Sequence, residues 1–84
     1  MKNLFRYVYW TDWGEKSSSI ERISMDGALE TRQKIISKDI TWPNGLTLDL
    51  VQKRVYWIDA KLRRLEVADF DGRNRKVLVN SGNG

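Results

Sequence analysis

The chain has 84 residues and a formal net charge of +4, with neither cysteine nor histidine. Those two absences exclude disulfides, thiolate nucleophiles, imidazole bases and the common zinc ligands together. A hydrophobic content of 40% with four tryptophans argues against disorder. A domain of this size still buries only about two-thirds of its unfolded surface, so it is marginal without help.

Residues 1–6 carry charge but no apolar h-region, so no signal peptide is expected and the N-terminus reads as a cut edge. No apolar run approaches the ~20 residues of a membrane-spanning helix. Tyr7–Trp13 is rich in aromatic and β-branched residues and predicts a strand. Residues 14–19 form a polar turn. Residues 20–25 alternate, with Ile20, Arg22 and Ser24 on one face and Glu21, Ile23 and Met25 on the other, and stop at an Asp26-Gly27 turn. Residues 32–37 predict a third, more polar strand. Trp42-Pro43-Asn44-Gly45 is expected to break the chain, because Pro43 lacks a donor and Asn-Gly favours a tight turn. Residues 46–50, 55–59, 64–70 and 75–79 predict four further strands, and residues 81–84 a flexible tail.

Two stretches are copies. Tyr9-Trp10-Thr11-Asp12 returns as Tyr56-Trp57-Ile58-Asp59, 47 positions later. Ile23-Ser24-Met25-Asp26-Gly27 corresponds to Ala68-Asp69-Phe70-Asp71-Gly72, and Arg32-Gln33-Lys34-Ile35-Ile36 to Arg75-Lys76-Val77-Leu78. A period in the forties with several short strands per unit is that of a β-propeller blade. Such a unit cannot bury its apolar faces without stacked neighbours. The division is 1–41 for the first unit and 42–84 for the second. The second has four predicted strands and the first three. Only residues 2–6 stand where the innermost strand of the first unit should be, and they are too short and too basic. That strand is missing or supplied by another chain.

The residues Tyr-Trp-Thr-Asp-Trp-Gly at 9–14, Trp-Pro-Asn-Gly-Leu-Thr-Leu-Asp at 42–49, Tyr-Trp-Ile-Asp-Ala-Lys-Leu at 56–62 and Asp-Gly-Arg-Asn-Arg-Lys at 71–76 resemble the YWTD repeats of the low-density lipoprotein receptor family. The texture is most similar to the propellers of receptor-related proteins, including the Wnt co-receptors. The resemblance covers nearly the whole chain. It implies an all-β fold, two antiparallel blades of a six-bladed propeller. It also implies an extracellular, cell-surface setting and protein or peptide binding on one face near the axis, without catalysis or cofactor. Two blades are a third of such a ring, so the chain is either an excerpt or one member of a homotrimer.

The Tyr-Trp pairs place large groups on opposite faces of a strand and are expected to pack against both neighbouring blades. Asp12 and Asp59 end those strands, where a carboxylate can accept backbone N–H groups or pair with arginine. The resemblance implies that this Asp ties blades together. Equivalent positions in repeated units suit scaffolding rather than a catalytic carboxylate pair. Asp69-Phe70-Asp71-Gly72 opens like a calcium loop, but Leu78 stands where the closing Glu should be, so no metal site is expected.

Trp13, Trp42 and Asn44 are the candidate ligand-binding residues. An indole offers area and one donor, an amide two donors and an acceptor. A tryptophan after YWTD, with the Trp and Asn of Trp-Pro-Asn-Gly, lines the ligand face in the Wnt co-receptor propellers. There the asparagine meets an asparagine of an Asn-x-Ile-type peptide. The plainer alternative is that Trp42 packs under its loop and Asn44 shapes a turn. The late basic residues Lys53, Arg54, Lys61, Arg63, Arg64, Arg73, Arg75 and Lys76 read either as a solvated rim or as a patch for acidic partners such as sulfated glycans. Nucleic acid is not expected, because the aromatics lie in strand repeats and do not interleave with the basic residues. The rival to recognition is a structural two-blade unit that self-assembles and retains no ligand.

Overall fold

The computed structural model describes residues 6–14 and 16–81. Among the described residues seven strands form two antiparallel sheets. Strands β1 (Tyr7–Trp13), β2 (Ser18–Ser24) and β3 (Gln33–Ile36) make the first, in that order, and a 3-10 turn at Leu29–Thr31 sits between β2 and β3. Strands β4 (Pro43–Asp49), β5 (Arg54–Asp59), β6 (Arg64–Asp69) and β7 (Lys76–Asn80) make the second. Within each sheet every strand pairs with its neighbour in sequence, while β3 and β4 do not pair and so divide the chain into two sheets.

Register follows the alternation. Tyr9 lies opposite Arg22 and Thr11 opposite Ile20, while Trp10 lies opposite Glu21 and Asp12 opposite Ser19. In the second sheet Trp57 lies between Leu46 and Glu66, and Val55 between Leu48 and Ala68. The two sheets pack face to face through Ile20, Ile36, Val55, Trp57 and Ala68, all buried, with Ile35, Ile40, Leu46 and Leu48 around them. Each fully buried side chain of this size contributes about 1.5–3 kcal/mol. The Tyr9 ring lies 5.3 Å from the Phe70 ring. Its hydroxyl donates to the Phe70 carbonyl (3.3 Å), which the Arg22 guanidinium also reaches at 2.9 Å. Tyr9 therefore faces the second sheet, and Trp10, on the next position, faces away from it.

Three expectations change. The predicted break at Trp42-Pro43-Asn44-Gly45 is not a tight turn: β4 begins at Pro43. Strand β4 is the edge of its sheet, where a residue without an N–H costs no ladder bond. Pro43 lies opposite Asp59 and Leu46 opposite Trp57, so Asn44 and Gly45 together oppose the single residue Ile58 in a bulge. Strand β2 starts at Ser18 because Ser18 and Ser19 still pair with Trp13 and Asp12. The turn shrinks accordingly, closed by the Gly14 N–H on the Ser17 carbonyl at 3.0 Å. The 3-10 turn was not foreseen; the Thr31 hydroxyl holds it by donating to the Ala28 carbonyl at 2.6 Å.

Of the segment 2–6, only Arg6 lies among the described residues; its carbonyl accepts the Met25 N–H at 2.9 Å, extending the β1–β2 ladder. The expected tail falls outside them beyond Ser81, whose N–H donates to the Arg63 carbonyl at 3.0 Å. Among the described residues no helix is long and apolar enough to cross a membrane.

Candidate functional site

The connection between the sheets, residues 37–42, is fixed by the side chains of the second. The Asp59 carboxylate accepts the backbone N–H groups of Thr41 (2.7 Å) and Trp42 (3.2 Å) on one side and of Lys61 (3.1 Å) and Leu62 (3.0 Å) on the other. Burial by itself pushes this carboxyl up, but the amide donors, Leu62 foremost, hold it below the ordinary carboxylate value. The Trp42 carbonyl in turn accepts the Ala60 N–H at 3.0 Å. At the other end of the connection, Arg75 donates to the carbonyls of Lys38 (2.6 Å) and Asp39 (2.7 Å). Its Nε is paired with buried Glu66 at 2.8 Å, and Arg64 lies 3.3 Å from the same carboxylate. The expectation that a strand-end aspartate collects backbone N–H groups thus describes Asp59. Asp12 is exposed, and no hydrogen bond to its carboxylate is present among the described residues.

This anchoring brings together two residues 29 positions apart in the chain. The rings of Trp13, at the end of β1, and Trp42, entering β4, lie 6.3 Å apart at 46°. Both are exposed. The Lys61 ammonium sits 5.2 Å from the centre of the Trp42 ring. The sequence names Lys61 only as one of the late basic residues and not with the two tryptophans; the signal that could have joined them is that it follows Asp59 by two positions, in the turn that Asp59 holds. A recess of about 190 Å³ adjoins Trp42, lined also by Lys16, Ser18, Ile40 and Thr41. The Ser18 hydroxyl donates to the Thr41 carbonyl at 2.5 Å, tying the first sheet to the connection.

Asn44 lies two residues beyond Trp42, exposed, at the bulge. Its amide makes no hydrogen bond to another described residue. Bulges re-aim side chains out of the regular pleat. The expectation that Asn44 forms a tight turn is therefore replaced: it belongs to an extended edge, with its donors and acceptor directed to solvent.

A wider groove of about 460 Å³ lies at the Tyr7 end of the strands, lined by Tyr7, Arg22, Lys53, Phe70 and Asp71. Its Arg22 is already committed to the Phe70 carbonyl and to the Tyr7 ring, 4.1 Å away. Of the eight late basic residues, Arg64 and Arg75 are committed to Glu66 and the connection, and Arg73 lies 3.6 Å from Asp71. The basic surface is smaller than the sequence suggests. Among the described residues, no group of three acidic side chains could hold a metal ion.

The family model for the low-density lipoprotein receptor repeat class B matches residues 6–50 and 53–82. The chain is 46% identical over 72 residues to the vitellogenin receptor Yl of Drosophila melanogaster, covering 86% of this chain and 4% of that protein. It is 43% identical over 77 residues to Protein cueball of Drosophila grimshawi, covering 88% and 12%. To the human low-density lipoprotein receptor-related protein 5-like protein it is 37% identical over 72 residues, covering 86% and 27%. The chain thus spans about a quarter or less of the length of these relatives. The crystal structure of a nidogen/laminin complex contains a chain that superposes with a TM-score of 0.82 at 39% identity, covering 94% of this chain and 28% of that one. With two antiparallel sheets and this match, the fold is that of two blades of a YWTD propeller. The chain belongs to the low-density lipoprotein receptor class B (YWTD) repeat family.

Proposed function

We propose that the module recognises an extended protein or peptide segment, without chemistry, at the end of the strands where Trp13 meets Trp42. The observation that carries this is the exposed indole pair, 6.3 Å between rings, set two residues from the unpaired amide of Asn44. Rigid aromatics give contact area at low entropic cost, and one amide fixes the register of a bound backbone or side-chain amide. The receptor names of the relatives and the complex with laminin in which the nidogen chain was solved support an extracellular, cell-surface setting with a protein ligand. The resemblance of the motifs at Trp13, Trp42 and Asn44 to those of the Wnt co-receptor propellers points to a peptide of the Asn-x-Ile type and a role in Wnt signalling.

The test is a titration of an Asn-x-Ile peptide into the protein and into Asn44→Ala. Loss of the amide should weaken binding by about 1–3 kcal/mol. Equal affinity removes Asn44 from the site, and no binding to the parent protein ends the peptide reading.

A second reading is a structural unit that self-assembles as a homotrimer with no retained ligand. It is favoured by the exposure of Val8 and Met25 on the first sheet and Ile58 on the second. Mass in solution tests it: three times 9.9 kDa is expected, and a species that stays monomeric would count against it. An acidic-glycan ligand has less support, because Arg64 and Arg75 are engaged internally.

A further inference from the structure

Arg32, Arg64, Arg73 and Arg75 each lie within ion-pair distance of a carboxylate of this chain. Lys16 and Lys61 do not: among the described residues neither ammonium forms an ion pair. Both stand at the end of the strands where the two exposed indoles meet. Lys16 is in the turn that follows Trp13, and Lys61 in the turn that follows Asp59. The Lys61 ammonium sits 5.2 Å from the centre of the Trp42 ring. Lys16 shares with Trp42 the lining of the recess of about 190 Å³. One indole is thus bordered by two cations that arrive from different sheets.

The carboxylates that hold this region are already occupied. Asp59 is fully buried and its oxygens accept four backbone N–H groups. Asp39, on the connection, lies 3.5 Å from Arg64. The neutral donors of the recess are only partly used. The Ser18 hydroxyl is committed to the Thr41 carbonyl, whereas the exposed Ser17 hydroxyl makes no hydrogen bond to another described residue. The recess therefore offers a surplus of donors, an ammonium and a hydroxyl. The group that complements them is one that only accepts, which is an ionised carboxylate. Volume decides the size of the occupant. Whole small-molecule ligands fill pockets of about 300–1,000 Å³, so this recess admits a single side chain. Lys61 adds a second positive charge beside it. Its contact with the indole face already restricts its rotamers, so less entropy is lost when an anion arrives.

We propose that the recess beside Trp42, with Lys16 in its lining and Lys61 on the Trp42 ring, is a carboxylate subsite that takes an aspartate or glutamate side chain of the bound segment. This rests on the reading of the Trp13–Trp42 surface as a peptide site and adds a charge requirement to it. Asn44 stands two positions beyond Trp42 at the start of β4. A bound extended segment advances by the same step per residue as a strand, so its acid belongs about two residues from the group that meets Asn44. A lysine or arginine of the ligand at that place is repelled, which makes the two lysines a filter between segments as well as an attraction. Trp13, Lys16, Trp42 and Lys61 all belong to this chain, so the subsite does not depend on what adjoins it.

The experiment titrates the full 84-residue chain by calorimetry with amidated Asn-x-Ile peptides that carry one glutamate in turn at each residue flanking the asparagine. The same peptides with glutamine are the references. Amidation removes the terminal carboxylate, and the glutamine peptide with a free terminus is run beside the series, so that a chain end and a side chain are told apart. At one position glutamate is expected to bind roughly fivefold tighter than glutamine, with the gain shrinking as salt is raised. Lys61→Gln and Lys16→Gln should each remove part of the gain and leave the glutamine peptide unaffected. Lys76→Gln, which takes the same charge from β7, should leave the gain intact. Lys61→Glu should reverse the preference, so that a peptide with lysine at that position binds better than one with glutamate. A flat series, with the glutamine peptide still bound, overturns the carboxylate subsite and leaves the peptide reading standing. So does a gain that survives Lys61→Glu, or one that Lys76→Gln removes as fully. A gain confined to the free terminus assigns the two lysines to a chain end and overturns the side-chain assignment. Failure of every peptide to bind ends both readings.

Discussion

The Asp59 carboxylate accepts the backbone N–H of Trp42 at 3.2 Å, and so fixes where the second indole of the exposed pair enters its sheet. The residue that carries the repeat signature and the residue that carries the candidate contact are therefore one unit. The stability of the fold and the shape of the site should respond together to changes at position 59.

Replacing Asp59 by Ala leaves four amide donors without their acceptor in a buried place. A loss of about 3 kcal/mol is expected, read as a lower urea midpoint with an unchanged slope. Peptide binding should fall with it, because Trp42 is released.

Acid should destabilise the protein through the same group. Its carboxyl lies below the ordinary value when folded, its amide donors outweighing burial. A depressed native pKa gives stability that is fully present above the unfolded value of about 3.9 and is lost as pH falls through the native one. Asp26 is also lowered, first by the Ala28 N–H, but it is exposed and adds little. Unfolding midpoints measured from neutrality down to acid should therefore drop below about pH 4. In Asp59→Asn that acid limb should flatten; an unchanged limb would assign the effect elsewhere.

Two glycines at matching repeat positions should behave differently. Gly27 and Gly72 both have positive φ, 78° and 91°. A Cβ on Gly27 meets nothing within 4 Å, whereas one on Gly72 runs into the Ile35 carbonyl of the first sheet. Gly27→Ala should cost about 1 kcal/mol of backbone strain. Gly72→Ala adds overpacking between the sheets and should cost about 3 kcal/mol. Chemical denaturation of the two variants side by side checks this; equal losses would mean that the sheets yield easily at that contact.

Arg75→Lys should not be conservative. Its planar fork reaches Glu66 and two carbonyls at once, which an ammonium cannot reproduce. Arg75→Ala leaves Glu66 with Arg64 as its only described ion-pair partner and should cost about 2 kcal/mol, the partial exposure of Arg75 moderating the effect. Removing both charges as Arg75→Met with Glu66→Met should recover part of that. A double variant no more stable than the single one would show that the acid was not the source of the loss.

Much of the fold is legible because its signals are local. Aromatic and β-branched enrichment from Tyr7 to Trp13 and alternation from Ile20 to Met25 name strands, and the copied Tyr-Trp pairs reveal the repeat. Pro43 misleads, because the rule that proline breaks strands ignores whether the strand is an edge, which only the assembled sheet decides. Trp13 and Trp42 can be nominated singly from the motif. Their contact cannot, since it depends on the Asp59 hydrogen bonds across 17 residues. Glu21 and Glu66 look like solvent-facing acids in an alternating strand, and only the arginines that stand just before the last strand of each sheet explain their burial.

The connection between the sheets has almost no slack. Arg75 grips the carbonyls of Lys38 and Asp39, and Asp59 grips the amides of Thr41 and Trp42, so Ile40 alone spans the gap between the two grips. A residue inserted or deleted there cannot be absorbed as a surface loop would absorb it; it forces one grip to open. The two halves should therefore melt in a single cooperative step rather than one after the other. Length variation among related chains should collect at the Gly14–Ser17 turn and leave this bridge at constant span.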